Sequence, residues 1–131
     1  MIGDRLRQAR GQALPLGPAG DVLAAHELAT CLLGSFGAPA LVTRDARLLL
    51  TASVLHLQSR AVRPPAVRDL LELLVCFGSG VGAAQAFAAS PMQFLQFAAA
   101  EFEMLDPPDR LAALRLSLRA VARAMAPSAA V

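Results

Sequence analysis

Residues 43–58, TRDARLLLTASVLHLQ, decide how this chain folds. Stepped at about 100° per residue, Leu48, Leu49, Leu50, Ala52, Val54, Leu55 and Leu57 leave almost no polar face. A helix that is apolar on every side is stable only when other elements surround it, so the segment predicts a buried central helix. Thr43 reads as its N-cap, and Asp45 falls in its first turn, where a carboxylate suits the helix dipole. The fold class that follows is all-α, a compact bundle of five to six helices around the central one at about 43–58.

On the N-terminal side, Asp21 stands where an N-cap belongs, and Val22, Leu23, Ala25, Leu28, Ala29 and Leu32 follow at helical spacing to about Leu33. GSFGAP, 34–39, is the connecting loop. On the C-terminal side, Pro64 and Pro65 set the first turn of a third helix, where a missing N–H costs nothing. Val67, Leu70, Leu71, Leu74 and Phe77 form its stripe. GSGVG, 78–82, ends that helix, and Ala83 to Ala89 is a short alanine-rich fourth. Ser90 and Pro91 start a fifth, in which Phe94, Leu95, Ala98, Phe102 and Leu105 share a face. Phe97 and Met104 lie to the side with Glu101, as a second packing surface or as partly exposed groups. Asp106, Pro107 and Pro108 start the sixth, whose stripe is Leu111, Leu114, Leu118, Val121 and Met125. Arg115, Arg119 and Arg123 line its other side, with Leu116 among them. The expected organisation is an extended N-terminal segment at 1–18, one all-helical domain at 19–126 and a frayed tail at 127–131.

The 131 residues suffice for one core without a disulfide or metal staple. Hydrophobic residues make up 56%, weighted towards alanine and leucine rather than β-branched or aromatic types, which favours helix over sheet. All 12 basic residues are arginine. A phosphate-loop lysine and a Schiff-base lysine are therefore impossible. Cys31 and Cys76 fall in apolar helical runs and read as buried reduced thiols. The first residues lack an apolar signal core, so no secretory signal is expected. The uncharged run from Leu73 to Ala100 is broken by Gly78, Gly80, Gly82 and Pro91 and carries Gln85, Gln93 and Gln96, which argues against membrane insertion.

Tests for chemistry return no assembled site. GSGVG does not complete GxGxxG and is not followed by a Walker lysine. His26-Glu27 begins like a zincin helix, but position 30 is Thr30. His56 sits on the packed central helix as a core histidine, without two partners at metal-ligand spacing. Neither cysteine belongs to a nucleophile motif, and Glu101, Glu103, Asp106 and Asp109 straddle a helix end and start. No metal, cofactor or catalytic residue is assigned. The row Arg115, Arg119, Arg123 reads either as a solvated face or as a contact strip for an acidic peptide or for phosphates. A net charge of +2 without aromatic interleaving is a thin footprint for nucleic acid.

GDVLAAHELATCLLGSF (20–36), DARLLLTASVLHL (45–57), PPAVRDLLELL (64–74), a glycine-rich loop and FAAAEFEMLDPPDRLAALRLSLRAVARAM (97–125) together resemble the all-α domain of type IV secretion coupling proteins, the TraG and VirD class of ATPases. The likeness covers about Gly20 to Ala126. The family's second helix carries an A-x-x-LL-x-A-x-x-LH run similar to Ala46 to Leu57, and its last helix opens with an arginine after an acidic or proline turn, as at Arg110. The nucleotide-binding domain that surrounds this insertion in the family does not accompany it here, so the chain is expected as an excised domain or a stand-alone relative, not an enzyme by itself.

The resemblance implies a cytoplasmic module, at the inner-membrane face when part of a coupling ATPase, that recruits secreted effector proteins or a relaxase through C-terminal signals. It also leaves open a contact with DNA. The candidate partner-binding residues are Arg115, Leu116, Arg119, Arg123, Phe97 and Met104. The competing class is a stand-alone helical adaptor or chaperone.

Overall fold

Every residue from Leu49 to His56 is buried, the least so being His56 at 9% exposure. Residues 20–34, 36–60, 65–78 and 81–126 are described by a computed structural model. They form six helices and no strand: α1 (Val22–Leu33), α2 (Ala40–Arg60), α3 (Val67–Cys76), α4 (Val81–Ala88), α5 (Gln93–Glu103) and α6 (Pro107–Met125). The central helix is α2, which touches each of the other five. The expected segments at 1–18 and 127–131 lie outside the described residues, as do Pro64, Ser79 and Gly80.

The start of α1 is as read: an oxygen of the Asp21 carboxylate accepts the Ala24 N–H at 3.0 Å. The start of α2 is not. The helix begins at Ala40, so Thr43 lies inside it rather than at its cap. The Pro39 carbonyl accepts both the Thr43 N–H at 3.0 Å and the Thr43 hydroxyl at 3.1 Å. Threonine's ability to bond back to the preceding turn makes it a tolerated interior residue as well as a cap.

In α3, Pro65 precedes the cap instead of occupying the first turn, and Ala66 holds the cap position. The helix entry is secured by Asp69, whose carboxylate accepts the Ala66 N–H at 2.8 Å. Gly78, at φ +62°, supplies the left-handed residue that closes the end of α3. The fourth helix starts two residues earlier than Ala83, with Gly82 inside it, where a Cβ would meet the Phe77 carbonyl oxygen at 3.3 Å. The Ser90 hydroxyl accepts the Met92 N–H at 3.1 Å, so Ser90 shapes the entry to α5 from two residues before its Met92 cap. Asp106 caps α6, with Pro107 and Pro108 in its first two positions.

The two hydroxyl residues in the buried section of α2 are satisfied by the helix itself. Thr51 and Ser53 donate to the carbonyls of Arg47 and Leu49, each at 2.7 Å. Against α2 lies Ser117 of α6, fully buried, whose hydroxyl reaches the Ala113 carbonyl at 2.8 Å and the Ala46 carbonyl of α2 at 3.4 Å. A residue this small lets the two backbones approach. At the far end of α2, the buried Phe87 of α4 meets Phe77 edge-on at 5.6 Å and His56 at 5.9 Å.

The thiols depart from expectation. Cys76 is exposed and Cys31 half-buried. On α3 the buried positions Val67, Leu70 and Leu74 define the inner face, and Cys76, in the last turn, falls outside it. Among the described residues no helix is long and apolar enough to cross a membrane.

Candidate partner-binding surface

The buried face of α6 comprises Ala113, Leu114, Leu116, Ser117, Ala120 and Val121. At 100° per residue these span an arc of about 160°, wider than one stripe, because α6 packs against α1, α2 and α3 together. Leu116 lies at the edge of that arc and is only 1% exposed. It is a core residue and is corrected out of the expected contact strip.

The arginine row is partly committed to the fold. The guanidinium of Arg119 sits 5.8 Å, and that of Arg123 5.2 Å, from the ring centroid of Phe36 in the α1–α2 loop. Arg115 is exposed. Two of the three cations therefore tie the loop to α6, a role that a sequence pattern on one helix does not show.

Phe97 and Met104 are exposed, at 54% and 81%. Separated by two helical turns, they share the outward line of α5, opposite Leu95, Ala98 and Phe102. Phe97 also enters a groove of about 270 Å³ lined by His26 of α1, by Arg44, Asp45, Arg47, Leu48 and Thr51 of α2, and by Phe94, Phe97 and Glu101 of α5. Of the six expected site residues, this groove contains Phe97 alone.

Within the groove, Arg44 pairs with Asp45 at 3.4 Å. Arg47 makes no such pair among the described residues, and its Nε is buried without an acceptor. The rings of Phe94 and Phe97 lie 6.1 Å apart and tilted, forming an apolar shelf on the opposite wall. The missed residues carried a faint signal: Arg44, Arg47, Leu48 and Thr51 recur at i, i+3, i+4 and i+7, one line along α2 that is not wholly apolar.

His56 is the remaining unusual group. Its Nδ1 is buried without a partner, and its pKa is lowered from 6.5 by burial first and by the Arg60 charge second. Among the described residues no group of three or more His, Cys, Asp or Glu side chains comes together to hold a metal.

Compared with protein-family models, with curated proteins and with solved structures, the chain matches none.

Proposed function

We propose that this helical domain is a protein-recognition module of the kind carried by type IV secretion coupling proteins, recruiting secreted effector proteins or a relaxase for transport. The order of helix-forming segments from Gly20 to Ala126 supports the reading, and the six-helix bundle around α2 is compatible with it. The observation that carries it is the uncovered line of Phe97 and Met104 on α5 beside the groove. Aromatic residues, Met and Arg are the types enriched at protein interfaces, and all three meet or adjoin on this side of the bundle. A cytoplasmic position follows from the proposed role, as does the remainder of a coupling ATPase as a structural partner.

Fluorescence anisotropy with labelled C-terminal tails of candidate effectors and relaxases tests the reading. Saturable binding is expected, weakened about tenfold by the pair Phe97→Ser and Met104→Ser, since central apolar anchors dominate interface energetics. Tails that bind neither the native chain nor the variant pair contradict it.

A further inference from the structure

Arg47 is out of place on the most buried helix of the bundle. Along α2 every residue from Leu49 to His56 is buried, yet Arg47 lines the groove, and its buried Nε has no acceptor. A charged donor left unmet in this way is costly, and a carboxylate is the acceptor that best fits a guanidinium fork. The nearest acid in sequence does not serve, because Asp45 is engaged with Arg44 at 3.4 Å.

Beside this donor stands the shelf of Phe94 and Phe97, the latter 54% exposed. We infer that the groove between α1, α2 and α5 binds an acidic peptide segment, seating a side-chain carboxylate on Arg47 and an adjacent apolar side chain against Phe94 and Phe97. The inference rests on the protein-recognition reading and names the partner's chemistry. At about 270 Å³ the groove has room for a pair of anchoring side chains rather than for an entire helix. Glu101 on the α5 wall and Asp45 on the α2 wall repel a continuous polyanion, which favours a peptide with one placed acid over a nucleic-acid backbone. Glu101 also fixes its orientation, with the acid on the α2 side.

The test is selection of random peptides, displayed internally so that no free chain end is presented, on the native chain and on Arg47→Gln and Phe97→Ser, each checked for folding by circular dichroism. Enriched peptides are expected to carry Asp or Glu within one turn of Leu, Ile or Phe. The synthetic form of the leading peptide binds the native chain about tenfold more tightly than either variant. Replacing its acid by the amide removes that advantage over Arg47→Gln. Glu101→Gln tightens binding about two- to fivefold by removing a like charge, a gain that a misfolded variant does not produce.

Failure to enrich any peptide overturns the inference. So does enrichment of basic peptides, a requirement for a free terminal carboxylate, affinity unchanged in Arg47→Gln, or competition by self-association of the chain. The recruitment reading survives each of those results when effector tails still bind on the line of Phe97 and Met104, and it falls when the tails fail to bind there, whatever the peptides do.

Discussion

The Arg123 guanidinium lies 5.2 Å from the centre of the Phe36 ring, on which Arg119 also converges at 5.8 Å. Phe36 is thus the point at which the α1–α2 loop is held to α6. Exposed cation–π contacts contribute about 0.5–1 kcal/mol each, and the half-buried ring adds apolar burial. Phe36→Ala is expected to destabilise the chain by about 1–3 kcal/mol, read as a lower urea midpoint with an unchanged slope. Arg119→Ala alone costs less than about 1 kcal/mol. Equal losses for the two variants contradict the shared-ring arrangement.

His56 couples stability to pH. Burial, reinforced by Arg60, lowers its pKa below 6.5, so just under that pH the native state binds fewer protons than the unfolded chain. Stability then rises with pH in that window. The contribution is complete above 6.5 and is lost as pH falls through 6.5 towards the lowered value. Thermal melts between about pH 5 and 8 are expected to show the native chain losing stability at the acid end relative to His56→Phe. Parallel profiles contradict this assignment.

Ser117 suits its buried site by size more than by its hydrogen bond. The carbonyls that it meets, Ala113 and Ala46, lie within helices. Ser117→Ala is therefore expected to cost less than about 1 kcal/mol, whereas Ser117→Leu forces α2 and α6 apart at a cost of about 1–3 kcal/mol or more. Chemical denaturation of both variants checks the contrast; a larger loss for alanine than for leucine contradicts it.

Phe87 tests the far end of the central helix. It is fully buried, edge-on to both Phe77 and His56. Phe87→Ala is expected to cost about 3–5 kcal/mol and to release the acid sensitivity of His56 by admitting water. A loss below about 1 kcal/mol shows that α4 is not part of the cooperative core.

Much of the fold was legible because its signals are local. Asp21 caps α1, and Asp106 caps α6 with Pro107 and Pro108 in its first two positions, as their residue types imply. The apolar run of α2 was readable as central because a helix without a polar face has only one stable environment. Thr43 was misplaced because threonine serves caps and interior back-bonds alike. Leu116 was misplaced for another reason: α6 meets three helices, so its buried arc exceeds the single stripe that periodicity reveals. The groove was illegible as a unit, since His26, Arg47 and Glu101 are joined only by packing.

The recruitment claim is tested most directly by a two-dimensional amide NMR titration of the chain with the C-terminal tail of a secreted protein or relaxase. Recruitment predicts saturable shifts centred on Phe97 to Met104 and on Arg44 to Thr51, with little change around Phe36. A spectrum unaltered by every tail, or shifted only around Arg115 and Arg119, contradicts it.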